Sequence, residues 1–445
     1  MLLYRCGLLL LALTTLASAQ SSIKLIPMPR EIHAAADQPL PNGVRIVCAS
    51  PCSEEDHFAT TDLATSLQQR NIASASATGF VIELTRLATH PVANFTAEMK
   101  PEGYAITASH DRLIVTAATA EGLFYGAQTV KQLIVGDGPK AVLHAANIRD
   151  WPAMKYRGLD DDLSRGPVPT LDFQKKQIRT IAAYKLNIYS PYFEHTQQYA
   201  SNPLMAPPGG SISAADAAAL VAYARPYHVT IIPEQEAFGH LHHNLTWEQY
   251  ADVAETPHGT VLAPGQPGSI PLIKQMFTEL AALYPGPFLH IGADETVDLG
   301  TGRTKADVDA RGLGAVYLDF MQRIVTALQP LHRKLLFWGD IAQDSPDPLK
   351  KMPQSFKDST IAVAWTYNPD PRGFDRYLTP FINAGFETWV APGVNNWSRV
   401  YPNNNYALLN IQGFIRDGQR LGATGALNTI WNDDGEGLEN MNWYG

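Results

Sequence analysis

The chain has 445 residues, 45% hydrophobic and 17% charged, which excludes a disordered polymer and leaves room for a small domain beside one of about 250 to 300 residues. Lys plus Arg number 34 against 43 Asp plus Glu, a net charge of −9, and no basic run occurs. Nucleic acid and anionic membranes are therefore not expected as partners.

In chain order, residues 1–19 carry Arg5 near their start, the apolar run Leu8 to Leu13, and Ala17-Ser18-Ala19 before Gln20. This pattern predicts a secretory signal peptide and a secreted or periplasmic protein. No later stretch reaches the roughly 18 apolar residues of a spanning helix, so no membrane anchor is expected. Cys6 would leave with the signal, and Cys48 and Cys52 are close enough in sequence to pair in an oxidising compartment.

Residues 20–150 read as a small α+β domain. Short β-rich runs such as Val44 to Val47 and Phe80 to Leu84 are separated by polar turns. Tyr104 to Thr107 and Leu113 to Thr116 flank Asp111-Arg112 as a hairpin, and Glu121 to Ile134 has helical apolar spacing. Trp151-Pro152 marks the boundary.

From 151 to 445 strand-like and helix-like segments alternate. The expected strands are 156–160, 186–193, 229–233, 288–292, 335–338, 361–365, 388–391 and 425–431; the expected helices are 173–184, 214–227, 270–283, 315–328 and 406–420. Eight strands with helices between them predict a (β/α)₈ TIM barrel, in which chemistry sits at the C-terminal strand ends. A doubly wound sheet is the rival, but no Gly-rich phosphate turn follows any strand. Ending at Gly445 reads as a barrel truncated in its last helix.

The fourth strand runs into Gly292-Ala293-Asp294-Glu295. Adjacent acids repel, so their presence at the end of a core strand points to chemistry: unlike surroundings would keep one as an anion and one as a proton donor. Taken alone, the segment also fits a solvated turn with two surface acids. The other strand ends are rich in groups that suit a neutral polyol: Arg157-Gly158, Glu194-His195, Glu234 and Glu236 with Gly239-His240, Trp338-Gly339-Asp340, Trp365, and Trp431-Asn432-Asp433-Asp434. Indole faces stack on sugar C–H faces, and Arg and carboxylates fork onto vicinal hydroxyls.

His240, His242 and His243 lack the HExxH spacing of a zinc helix, so neither a metal nor a cofactor is assigned. The absence of a Gly-x-Ser-x-Gly elbow speaks against acyl transfer. Asn94, Asn244 and Asn396 open glycosylation triplets that matter only in a eukaryotic source.

These motifs resemble glycoside hydrolase family 20, the β-N-acetylhexosaminidases, over most of the chain. His290-Ile291-Gly292-Ala293-Asp294-Glu295 is similar to the family's His-x-Gly-Gly-Asp-Glu; Arg157-Gly158, Lys185-Leu186-Asn187 and Pro233-Glu234 with Gly239-His240 are similar to further motifs. The resemblance implies Glu295 as general acid/base and Asp294 as the carboxylate that orients the substrate's acetamido group, whose carbonyl oxygen is the nucleophile. It further implies Arg157 on the C3 and C4 hydroxyls and Trp338, Trp365 and Trp431 as pocket walls, with Glu194, His240, His290 and Asp433 as further substrate contacts. The substrate would be an oligosaccharide or glycoconjugate ending in β-linked N-acetylhexosamine.

Three features depart from the family: Pro191-Tyr192-Phe193-Glu194-His195 replaces Trp-His-Leu-x-Asp, no Tyr follows the seventh strand, and Trp431-Asn432-Asp433 stands for Trp-x-Glu. Tyr401, Asn395 or Asn396 are candidates for the missing donor, and Glu436 for the missing acid. A two-carboxylate retaining glycosidase using Glu194 or Glu234, and an inactive sugar-binding protein, remain as alternatives.

Overall fold

Residues 23–49, 51–75 and 79–433 are described by a computed structural model of the chain. The expected signal peptide over 1–19, with Cys6 and Gln20, lies outside the described residues, as do Asp434 and Glu436.

The first domain is a six-stranded mixed sheet, ordered Glu31–Ala34, Ala146–Asp150, Tyr104–Ala108, Arg112–Ala117, Phe80–Arg86, Val44–Cys48. The hairpin expected around Asp111 is present, with Tyr104 opposite Ala117 and Ala108 opposite Leu113. Helices Glu54–Gln69 and Ala120–Leu133 cover the sheet. The first begins with a capping box in which Ser53 and Asp56 each accept the other's backbone N–H. Leu123, Phe124, Ala127 and Val130 of the second are buried, as their helical spacing requires. Cys48 and Cys52 are disulfide-bonded.

Eight parallel strand positions then close on themselves into a barrel: Tyr156–Asp162, Ile188–Phe193, a split third strand (Thr230–Ile231 and Glu234–Gln235), Phe288–His290, Lys334–Trp338, Thr360–Trp365, Glu387–Ala391 and Gly425–Ile430. The first strand pairs with both the second and the eighth, which removes the sheet edges. The third strand breaks at Ile232-Pro233 because proline has no N–H for the ladder. Large side chains fill the barrel, among them Tyr192, Phe288, Leu336, Trp338, Val363 and Trp389. No helix among the described residues is long and apolar enough to cross a membrane.

The first domain docks on the N-terminal end of the barrel, away from the strand ends that carry chemistry. Lys185 donates to Asp150 at 2.9 Å and to the Tyr104 hydroxyl at 2.7 Å. Arg157 pairs with Glu102 at 2.6 Å and also donates to the carbonyls of Met154, Lys155 and Lys185. Of the three possible glycosylation sites only Asn94 is exposed; Asn244 and Asn396 are buried.

Candidate active site

The fourth strand ends in a kink that sets the two acids apart. Gly292 (φ +61), Ala293 (φ +76) and Glu295 (φ +40) are all left-handed, a strained run for residues that carry a Cβ. Surrounding groups hold it in place. The Ala293 N–H donates to Glu236 at 3.1 Å, the Ala293 carbonyl accepts from Tyr317, and the Glu295 N–H donates to Asp340 at 3.0 Å. A Cβ on Gly292 would stand 2.3 Å from the Glu236 carboxyl, so glycine is required there for space as well as for φ. The result is that Asp294 turns inward, its side chain 13% exposed, while Glu295 stands at the rim, 52% exposed.

His240 lies between them, its Nε2 3.5 Å from Asp294 and 3.4 Å from Glu295. On its other side Nδ1 is 3.9 Å from Glu194. Burial opposes a charge on His240, but Asp294 first, then Glu295 and Glu236, push it up to about 12, which favours the imidazolium. Burial alone would raise the Asp294 carboxyl; the His240 charge and hydrogen bonds from His240 and Glu236 outweigh it and hold Asp294 below its ordinary value. Burial and the Asp294 charge drive Glu236 the opposite way. Glu236 and Asp294 share a side-chain hydrogen bond, and because Glu236 is pushed up while Asp294 is held down, Glu236 is the donor. Asp340, raised to about 7 by burial and then by Asp294, completes the ring of groups around the anion.

A cavity of about 270 Å³ opens in front of these acids, lined also by Arg165, Tyr192, Trp365, Tyr367, Trp397, Trp431 and Asp433. Arg165 is braced by Asp162 at 2.8 Å and Asp433 at 3.0 Å, and its guanidinium lies over Trp431 and Tyr192. Trp365 stacks on Tyr367, whose hydroxyl accepts from Trp431 Nε1 at 2.8 Å. The volume lies at the low end of ligand pockets, which suits a single ring rather than a chain of them. A second cavity of about 400 Å³ lies between the domains at the far end of the barrel. Of its charged groups, Glu102 pairs with Arg157 and Asp150 with Lys185, and the Arg30 guanidinium donates to the carbonyls of Trp151 and Pro152.

Asp294, Glu295, His240, Trp365, Trp431 and Asp433 thus share one cavity, and four other expected site residues do not line it. Arg157 is corrected outright. It sits opposite Ala426, five residues below Trp431, or roughly 16 Å along the strand, and is committed to the domain junction. Arg165, three residues past the end of the same strand, lines the cavity instead. Trp338 pairs in register with Val363, two residues below Trp365, so it is a layer deeper, donating to Glu234 under Trp431. His290 is fully buried against Trp338 and accepts from the Gly292 N–H. Glu194 is buried behind His240 and does not line the cavity.

Asn395 and Asn396 donate to the carbonyls of Tyr367 and Trp431, and neither lines the cavity. Tyr401 does not line the cavity. Sequence reasoning missed Arg165, Tyr192, Tyr367 and Trp397. The signal for Arg165 was available, since a residue past the C-terminal end of the first strand outranks one at its start.

Comparison with known proteins identifies the family. Residues 22–151 match the description "Glycosyl hydrolase family 20, domain 2" and residues 154–392 match "Glycosyl hydrolase family 20, catalytic domain". The chain belongs to glycoside hydrolase family 20. A β-N-acetylhexosaminidase of Cellulomonas fimi is 25% identical over 335 residues, covering 68% of this chain and 60% of that protein. A β-hexosaminidase of Vibrio furnissii is 25% identical over 415 residues, covering 82% and 64%. The chain therefore spans under two thirds of the length of these relatives. Among solved structures, the family 20 β-N-acetylhexosaminidase of Streptomyces coelicolor superposes with a TM-score of 0.69 at 21% identity, covering 92% of this chain and 86% of that one. That of Bacteroides fragilis gives 0.69 at 18%, with the same coverage. At these identities the structural likeness speaks for the fold alone.

Proposed function

We propose that the chain is an exo-acting, retaining β-N-acetylhexosaminidase that removes terminal β-linked N-acetylglucosamine or N-acetylgalactosamine by substrate-assisted catalysis. The observation that carries this reading is the division of labour between neighbouring acids: Asp294 is an inward anion clamped by His240 and Glu236, and Glu295 is a rim acid open to a leaving group. The acetamido carbonyl oxygen attacks the anomeric carbon. Asp294 accepts the acetamido N–H and stabilises the positive charge that develops as the oxazolinium forms. Glu295 protonates the departing oxygen and later takes a proton from the attacking water. Tyr367 lines the cavity and offers its hydroxyl to the acetamido oxygen, in place of the absent tyrosine after the seventh strand. Arg165 and Asp433 hold the ring hydroxyls, and Trp365 and Trp431 wall the ring.

The two-carboxylate alternative asks Glu194 or Glu234 to reach the anomeric carbon, yet their side chains are 1% and 0% exposed. A panel of chromogenic β-glycosides tests the reading: hydrolysis confined to the N-acetylglucosaminide and N-acetylgalactosaminide supports it. Faster hydrolysis of the β-glucoside would favour the two-carboxylate enzyme, and binding without turnover an inactive sugar-binding protein. Export, inferred from residues 1–19 alone, is tested by the N-terminal sequence of the protein recovered outside the cytoplasm.

A further inference from the structure

Just behind the sugar cavity, the loop after the second barrel strand and the helical turn His242–Leu245 bring a carboxylate and two imidazoles together. Ligand atoms of Glu194, His195 and His243 all lie within 4.8 Å of one another. The His195 and His243 rings face each other at 4.0 Å between centroids. Two of the atoms available here, Glu194 Oε2 and His195 Nδ1, are buried and have no hydrogen-bond partner among the described residues. Buried polar atoms without partners are rare in native proteins, and when they converge they ask for an ion or a water.

The framework under this cluster is fixed independently of it. The Glu194 N–H donates to Ser164 at 2.7 Å, and its carbonyl accepts from Asn244 at 2.7 Å and from Gln235 at 3.2 Å. The Asn244 bond ties the turn carrying His243 to the strand end carrying Glu194 and His195. None of these bonds uses the converging side-chain atoms.

We propose that Glu194, His195 and His243 form a three-ligand site for a first-row divalent transition metal, zinc in the first instance, with water as the fourth ligand. Two imidazoles and one carboxylate suit zinc, cobalt, nickel or copper and do not suit magnesium or calcium, which prefer all-oxygen sets. Tetrahedral zinc with bonds of about 2.0–2.2 Å needs ligand atoms roughly 3.4 Å apart, so atoms within 4.8 Å of one another must close by up to about 1.4 Å. The closure requires His243, which is exposed, to turn its ring out of its stack with His195 and His242. The site is coupled to the sugar cavity, because the other Glu194 oxygen faces both His240 and Arg165 at 3.9 Å. Metal on Oε2 draws charge away from that contact, so zinc acts as an inhibitor rather than a cofactor.

The test uses the chelator-stripped full chain. Zinc is titrated in competition with a chromophoric chelator, and cobalt is followed by the visible absorption of a four-coordinate N/O site. One equivalent should bind, His243→Ala and His195→Gln should each weaken binding by at least about tenfold, and His242→Ala should leave it intact. Absence of competition by the parent protein, or equal binding by a folded His243→Ala and His195→Gln, would overturn the site. Because binding is read directly, the answer stands whether or not the glycosidase reading holds. Zinc should lower glycoside hydrolysis by the parent and spare His243→Ala; equal inhibition of both would overturn the coupling.

Discussion

Arg165 and Arg157 offer a matched pair of perturbations, because both are arginines of the first barrel strand region and only one faces the cavity. In Arg165→Met, Asp162 keeps three backbone N–H donors, from Ser164, residue 165 and Asn432, so its buried carboxylate is not stripped bare. The folding loss is then that of the charge-assisted bond to Asp162, about 1.5–3 kcal/mol, with the pair to the part-exposed Asp433 adding less than about 1 kcal/mol. A hydrogen bond of the same kind to a sugar hydroxyl is lost from the transition state, so kcat/KM should fall by about 10- to 150-fold. Arg157→Met leaves Glu102 without its partner and the Met154 and Lys185 carbonyls without a donor among the described residues, while the Lys155 carbonyl keeps the Asn187 amide. Breaking such a buried pair costs about 3–5 kcal/mol of stability, while kcat/KM of the folded enzyme should stay near the parent value. The assay is kcat/KM on an aryl N-acetylglucosaminide beside the denaturant midpoint of each variant. Loss of kcat/KM in Arg157→Met with an unchanged midpoint, or full activity in Arg165→Met, would refute the assignment.

Other perturbations address the acids. Glu295→Gln should reduce hydrolysis of substrates with poor leaving groups far more than of aryl glycosides with good ones, since a good leaving group needs little protonation; equal losses on both would count against Glu295 as the acid. Asp294→Asn should cut kcat by roughly 10² or more with a smaller effect on KM, because the acetamido N–H gains charge only as the oxazolinium forms. Glu121 lies at the domain junction, raised from 4.5 to about 7 by burial and then by the Glu102 charge, and it accepts from the Tyr125 hydroxyl. The native state thus binds its proton more tightly than the unfolded chain, so this group lowers stability as pH rises from 4.5 to 7 and leaves a constant penalty above. Glu121→Gln should therefore be more stable than the parent at pH 8, by about 1–2 kcal/mol after allowance for partial exposure, and should lose that advantage at pH 4.5. Paired urea titrations read the difference, and an advantage that grows towards low pH would contradict it.

The barrel was legible because parallel strands buried on both faces read as short apolar runs between helices of clear period, as in Ile188–Phe193 and Glu387–Ala391. The helix Asp375–Ala384 escaped notice because Pro380 lies inside it, a residue that normally ends a helix. Within the site, the kinked Asp294-Glu295 pair was legible from its small residues and adjacent charges. Height along the barrel axis was not. Trp338 and Trp365 both end strands, but the register places one a layer below the other, and no local pattern encodes that offset. Tyr367 and Trp397 lie on irregular segments beyond the strands, where no periodicity marks direction. Glu194 could be placed at a strand end but not behind His240, because that contact joins the ends of two different strands.

The central claim is that the nucleophile belongs to the substrate, and an N-acetylglucosamine thiazoline, which mimics the oxazoline ring, tests it most directly. Asp294 presents a buried anion where the protonated ring nitrogen of that compound would lie, so the parent protein should bind it far more tightly than it binds N-acetylglucosamine, and Asp294→Asn should lose most of that preference. No preference for the thiazoline, together with a covalent adduct from a 2-fluoro sugar on an enzymic carboxylate, would contradict the account.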